Sequence, residues 1–306
     1  MTSSPELPIT GTFLDEISHD IPSANWGSQA WAKEFASMQA DGIDTVILIR
    51  AGYRDRATFP SQVLSQLHPH LIVQEDLVDL FLRLADQHHM AFYFGTYDSG
   101  LYWQQDNYQL ELDINRAFVD EVWQRYGDYS AFQGWYICHE INTFSEGMMQ
   151  VYEQLSRHLK DLKNLPILIS PYIRGSKQFA DAISLTHHEQ EWREVFARLD
   201  GLVDIVAFQD GQVEFAELPD YLAINAQLAR QHHITCWSNI ETFDRDVYIK
   251  FPPIAWPKLR YKIEAARSAG VDKLITFEYS HFLSPNSMFP SAHHLRDCYR
   301  EWYRSA

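Results

Sequence analysis

The chain has 306 residues, 46% of them hydrophobic and 22% charged, and its 41 acidic against 25 basic residues give a formal net charge of −16. A surface of that sign repels phosphate backbones and anionic membrane faces, so neither nucleic acid nor a membrane is an expected partner. No stretch approaches the roughly 20 apolar residues of a membrane span. The opening MTSSPELPIT carries neither a basic start nor the apolar run of a secretory signal, which reads as a cytoplasmic protein. Cys138, Cys236 and Cys298 offer no zinc spacing and suit structural roles in a reducing compartment.

Along the chain, short runs rich in β-branched and aromatic residues alternate with longer stretches of helical periodicity. The predicted strands are ITGTFLD (9 to 15), DTVILIR (44 to 50), AFYFGTY (91 to 97), GWYICHE (134 to 140), PILISPY (166 to 172), VDIVAFQ (203 to 209), ITCWSNIE (234 to 241) and KLITFEY (273 to 279). Between them lie stretches such as SQAWAKEFASMQADG, EDLVDLFLRLADQHH, INRAFVDEVWQRYG and PKLRYKIEAARSAG, with apolar residues three or four apart. Gly42 and Gly270 follow the last periodic residue of two helices, where a left-handed cap belongs. Eight such units without a linker-like stretch predict one α/β domain over residues 1 to 306, a (β/α)8 TIM barrel. The longest loops after strands should follow strands 2, 3, 5 and 7, on the face where barrels build active sites.

Polar residues at the C-terminal ends of barrel strands face that site. The rule selects Asp15 and Glu16, Arg50, Tyr97 and Asp98, His139 and Glu140, Gln209 and Asp210, Asn239 and Glu241, and Glu278 and Tyr279. Glu140 and Glu241 each end an apolar strand that tolerates a carboxylate only where it meets water, a partner or a substrate. Strands 4 and 7 stand on roughly opposite sides of an eight-stranded barrel. Two carboxylates facing each other across its mouth are what cleavage of a glycosidic bond needs, one to protonate the leaving oxygen and one on the far side of the anomeric carbon. Each glutamate could instead form a salt bridge at the rim. Trp26, Tyr53, Tyr97, Tyr102, Trp103, Tyr172, Trp237 and Tyr279 could offer faces for sugar rings, with about half expected to line the cleft and the rest to be core.

The placement of Glu140 and Glu241 resembles the clan A glycoside hydrolases, retaining (β/α)8 enzymes in which the strand 4 glutamate is acid/base and the strand 7 glutamate is nucleophile. Through GTFLDEISHDIPSANWG, GIDTVILIRAGY, FQDG and TFEYSHFLSP the chain is also similar, over nearly its whole length, to bacterial barrels classed as a domain of unknown function. The clan resemblance implies that Arg50 supports Glu241. It also implies an asparagine immediately before the acid/base glutamate, where this chain has His139, with Asn142 two residues after Glu140. A tryptophan commonly ends strand 8 in the clan; here Phe277, Glu278 and Tyr279 stand there, and Glu278 could bind a hydroxyl or replace one of the pair.

Four His-His pairs invite a metal reading, but those at 88 and 232 precede strands 3 and 7 on the opposite face, so neither metal nor cofactor is expected. No nucleotide fingerprint and no G-x-S-x-G elbow is present. The expected function is a retaining glycosidase acting on a carbohydrate. The rivals are a sugar-binding barrel without turnover and a lyase or isomerase using Tyr97, His139 or Glu278 as base.

Overall fold

The computed structural model describes residues 7–18, 21–73, 75–246 and 251–305. Eight strands close into a parallel barrel: β1 (Ile9–Leu14), β2 (Thr45–Leu48), β3 (Ala91–Gly95), β4 (Phe132–Ile137), β5 (Ile167–Ile169), β6 (Ile205–Gln209), β7 (Thr235–Glu241) and β8 (Lys273–Phe277). Each pairs with its sequence neighbours, and β8 returns to β1 with Ile9 opposite Leu274 and Thr12 opposite Thr276. Eight main helices surround the barrel: α1 (Ser28–Ala40), α2 (Leu77–Gln87), α3 (Tyr108–Tyr126), α4 (Glu146–Leu162), α5 (Leu185–Leu199), α6 (Leu218–Gln231), α7 (Trp256–Ala269) and α8 (Pro290–Ser305). The chain is therefore the (β/α)8 barrel that the alternation predicts.

The predicted turns have the expected physical basis. Gly42 and Gly270 both adopt left-handed backbone, at φ 84° and 73°, conformations that cost a glycine nothing. Two of the histidine pairs serve the same purpose, since His89 and His233 are left-handed residues just after α2 and α6. Strand alternation splits the core in two. Phe13, Ile47, Tyr93, Tyr136, Leu168, Trp237 and Ile275 fill the inside of the barrel, while the out-of-phase residues, such as Leu14, Leu48, Ile137 and Ile240, pack against the helices.

The barrel strands are shorter than predicted. The strands at 44 to 50, 134 to 140 and 166 to 172 end at Leu48, Ile137 and Ile169, so their last residues belong to loops. Above β2 and β3 a small second sheet forms, which the sequence does not announce: Gly52–Tyr53 pairs with Arg56–Ala57 and Tyr97–Asp98, and Arg56–Ala57 pairs with Ile72–Val73. It pins Asp98 beside the end of β2. Among the described residues no helix is long and apolar enough to cross a membrane.

Candidate active site

Strand phase decides which tip residues reach the barrel mouth. On β7, Trp237 lies inside and Ile240 outside, so Asn239 and Glu241 point inward. On β4 and beyond, Tyr136 and Cys138 lie inside and Ile137 outside; continued alternation turns His139 out and Glu140 in. The result is a cavity of about 230 Å³ lined by Glu140 and Glu241 together, with Gln209 and Asn239 between them. Phe13, Ile49 and Phe277 form apolar lining, in phase with the barrel interior, and Tyr172, Gln178, Gln212, Phe243, Arg245 and Phe251 come from the loops.

Glu241 is 2% exposed and closely held. Arg245, four residues on, forks onto it with Nε to Oε2 and Nη2 to Oε1, both at 2.7 Å. Gln212 Nε2 donates to Oε1 at 3.3 Å. Its backbone N–H donates to Asp210 at 3.0 Å, and Lys262 Nζ, reaching in from α7, donates both to the Glu241 carbonyl at 3.1 Å and to Asp210 Oδ1 at 2.8 Å. Burial pushes the Asp210 carboxyl up, and Lys262 opposes the shift. Gly211 explains the rest of the FQDG sequence, because a Cβ there would stand 1.6 Å from Glu241 Oε2. In that motif Gln209 lines the cavity, Asp210 anchors the strand end and Gly211 makes room for the carboxylate.

Glu140 sits in a second network, and its side chain is 24% exposed. Arg50 approaches it at 3.7 Å and donates to Asp98 at 3.3 Å. The expectation that Arg50 supports Glu241 is thus corrected: Arg50 follows Ile49, which lies inside the barrel, and is directed to Asp98 and Glu140, while Arg245 from the loop after β7 holds Glu241. Burial alone would lower the Arg50 pKa, but Glu140 and Asp98 hold it well above the usual range. Asp98 stays low despite burial, because His139 and Arg50 face it and Trp103 Nε1 and the Gly100 N–H donate to it at 2.8 Å. Burial would lower His139 as well, yet its hydrogen bond to Glu111 on α3, at 2.8 Å, raises it. Asp98, Glu111 and His139 bring one ligand-type atom each within 4.8 Å, a grouping of metal-binding type that the sequence reading lacked. Arg50, Gly100 and Trp103 donate to Asp98, and Ser99 and His139 Nε2 meet Glu111, while His139 Nδ1 is buried with no partner among the described residues; the cluster lies as a largely hydrogen-bonded support behind Glu140.

Several predicted site residues lie elsewhere. Trp237 is inward but four residues below Glu241, roughly 13 Å down the strand, in edge contact with Tyr93. Tyr97 is fully buried and joins His68 to the Arg54 carbonyl. Tyr279 is buried, and its hydroxyl donates to Asp41 at 2.6 Å. Glu278, one residue out of phase with Phe277, caps the short helix Tyr279–Phe282, accepting from the Ser280 and His281 N–H groups and from His281 Nδ1. Asp15 accepts from the Ile17 and Ser18 N–H groups, and Glu16 accepts from Ala24 N–H, with burial raising its pKa to about 7. Asn142 is half-buried in the loop after β4 and is not among the residues lining the cavity. Of the eight aromatics proposed as platforms, Tyr172 lines this cavity, and Trp26 lines a broader hollow at the start of α1.

The fold and the sequence both have relatives. A solved structure from Bacteroides thetaiotaomicron VPI-5482, of a protein proposed to be an alpha-L-fucosidase, is 48% identical, covers 98% of this chain and 94% of that one, and superposes with a TM-score of 0.94. An endo-1,4-beta-D-mannanase from Thermotoga petrophila RKU-1 shares the barrel at 10% identity, covering 97% of this chain and 99% of that one with a TM-score of 0.62. A family 5 glycoside hydrolase from Bacteroides vulgatus ATCC 8482 does so at 11% identity, covering 90% and 59%, with a TM-score of 0.56. No curated relative matches the sequence. Residues 9–289 match the profile described as a domain of unknown function, DUF4434, and the chain belongs to that family.

Proposed function

We propose that this protein is a retaining glycoside hydrolase in which Glu140 is the acid/base and Glu241 the nucleophile. The observation that carries the reading is that the two glutamates, 101 positions apart in sequence, line one small cavity at the end of the barrel where catalytic residues gather. In the first step Glu140 gives its proton to the glycosidic oxygen as the bond to the anomeric carbon breaks, and a Glu241 oxygen bonds to that carbon. In the second, Glu140 takes a proton from water, the water oxygen bonds to the anomeric carbon, and the ester to Glu241 breaks. Anomeric configuration is retained, and the two carboxylates supply all the acid, base and nucleophile the reaction requires.

The substrate is a carbohydrate, an oligosaccharide or simple glycoside. The cavity is smaller than the roughly 300–1,000 Å³ typical of drug-sized sites, which favours a single sugar ring in it. Gln178, Gln209, Gln212 and Asn239 offer amides suited to hydroxyls. The relative proposed to be a fucosidase supports the same reaction class.

A second reading has its own observation: with both Glu241 oxygens forked by Arg245, the site could bind sugar without turning it over. A panel of aryl glycosides assayed against the wild type and Glu241→Ala separates the two. Hydrolysis lost in the variant is expected. Sugar binding by calorimetry with no product from either protein would establish the binding barrel instead.

A further inference from the structure

Two amides that line the cavity each keep a buried oxygen that the protein leaves unmet. Asn239 and Gln212 are both 2% exposed, and Asn239 Oδ1 and Gln212 Oε1 have no hydrogen-bond partner among the described residues. Their neighbours fix which end of each amide is the oxygen. Ser170 Oγ donates to the Ala207 carbonyl, so toward Asn239 it accepts, and Asn239 Nδ2 donates to it at 3.1 Å. Gln209 Nε2 donates to the Ser170 carbonyl at 3.0 Å, which leaves Gln209 Oε1 as an acceptor. Gln212 Nε2 accordingly donates to that oxygen at 3.4 Å and to Glu241 Oε1 at 3.3 Å. Turning either amide over would set oxygen against oxygen. A buried acceptor without a donor is destabilising, and a ligand that brings a donor relieves it.

The two acceptors stand at different depths. Gln212 is bonded to Glu241 itself, beside the carbon that reacts in the proposed mechanism. Asn239 comes two residues before Glu241 on β7, roughly 6–7 Å deeper in the barrel, and pairs with Gln209 of β6. Beneath it the next inward residue is Trp237, packed edge-on against Tyr93. We infer that the cavity binds one terminal sugar ring end-on, with two free hydroxyls donating to Asn239 Oδ1 and Gln212 Oε1, so that these amides decide which sugars are cleaved. The inference rests on the glycosidase reading for the cleavage and on the amides alone for recognition. A hydroxyl donates, whereas an ether, an ester or fluorine in its place only accepts and meets lone pair with lone pair. The end of the ring at Asn239 faces packed side chains, so no further sugar is linked through it. The bond that breaks is the one leading out past Glu140, whose side chain is 24% exposed, and sugars leave one at a time from a chain end.

The test takes the 4-nitrophenyl monosaccharide glycoside that the wild type cleaves best and compares its kcat/KM with those of its monodeoxy and monodeoxyfluoro forms. Each loss is read in wild type relative to Asn239→Leu and Gln212→Met, which cancels the substituent's own effect on bond cleavage. Loss of about 10- to 100-fold is expected at two ring positions, with fluorine restoring neither. At one of them the loss shrinks to about threefold or less in Asn239→Leu, and at the other in Gln212→Met. No position losing more than about threefold, or losses unchanged in both variants, overturns the inference. So does equal cleavage of a disaccharide whose terminal ring is O-methylated at the position that Asn239 reads. Glu241-dependent cleavage in either case leaves the glycosidase standing without this recognition. If no glycoside is cleaved, calorimetry with the free monosaccharides and their deoxy forms decides. Binding weakened at two positions keeps the recognition and removes the glycosidase, while binding indifferent to every hydroxyl, or none at all, removes both. Thermal melts verify that each variant folds, and the wild-type series alone decides where one does not.

Discussion

Replacing Glu34 by glutamine should stabilise the protein in alkaline solution and leave it nearly unchanged in acid. Glu34 lies on α1 with no exposed surface; its Oε2 accepts from Ser284 at 2.7 Å and Asn286 at 2.8 Å, while Oε1 has no hydrogen-bond partner among the described residues. Burial drives its pKa from 4.5 to about 7, and hydrogen bonding from Asn286, Ser284 and Ser280 only partly opposes that. A folded-state pKa raised in this way gives stability that is fully present below pH 4.5 and lost as pH climbs through about 7. At 1.36 kcal/mol per pH unit the interval corresponds to about 3 kcal/mol lost in alkaline solution. Glutamine keeps an oxygen for Ser284 and Asn286 and carries no charge to desolvate. Melting curves near pH 8.5 should therefore rise by something on the order of 5 °C in Glu34→Gln, and curves near pH 5 should nearly coincide with wild type. An equal shift at both pH values, or a loss at pH 8.5, would show that charge burial at this position is not what limits stability.

Other consequences concern the site directly. Glu140→Gln should lower kcat/KM for unactivated leaving groups by about 10²- to 10⁴-fold while sparing kcat/KM for dinitrophenyl glycosides, whose leaving group needs no proton, although kcat on the latter falls because the second step loses its base; equal losses of kcat/KM on both would remove the acid role. Gly211→Ala places a Cβ where Glu241 Oε2 now sits, so kcat should fall about 100-fold, with the loss measured at saturating substrate. Unaltered kcat would mean that Glu241 does not act from this position. Lys262→Met strands the buried Asp210 carboxylate and should cost about 3–5 kcal/mol in denaturant unfolding, with most of it recovered when Asp210→Asn is added. A double variant as unstable as the single one would contradict the pairing.

The barrel was legible because its signals are local. Eight apolar runs, periodic helical stretches and glycine caps at Gly42 and Gly270 each follow from neighbouring residues, and they agree with one another. What the sequence hid was made by distant residues. The small sheet that joins Gly52–Tyr53 to Tyr97–Asp98 is built from two-residue pieces, too short for any periodic pattern, yet it places Asp98 beside Arg50. Arg245 lay four residues beyond the strand tip in a loop, where the tip rule does not look, so its fork on Glu241 was missed and Arg50 was given its place. Lys262 lies inside a periodic helical stretch with nothing local to mark it, although it is 3% exposed and reaches Asp210 from α7.

Some of what was missed could have been recovered by a stricter use of strand phase. The tip rule admitted pairs of adjacent residues, but adjacent residues in an extended chain face opposite ways. Fixing the phase from the apolar residues of each strand sorts the pairs: Ile205 and Ala207 lie inside, so Gln209 faces the mouth and Asp210 faces α7. Ile275 lies inside, so Phe277 lines the cavity and Glu278 turns away to cap the next helix. Tyr136 and Cys138 lie inside, so Glu140 enters and His139 meets Glu111 on α3. The same sorting separates the two kinds of carboxylate at this end of the barrel. Asp210 and Glu278, out of phase, are held by Lys262 and by helix N–H groups and keep loops and strands in register. Glu140 and Glu241, in phase, meet inside one cavity with different surroundings: one is 24% exposed with its cation at 3.7 Å, the other buried under a fork at 2.7 Å. Division of labour between two carboxylates depends on such unequal environments, and here the inequality follows from where each strand stops and which loop returns over it.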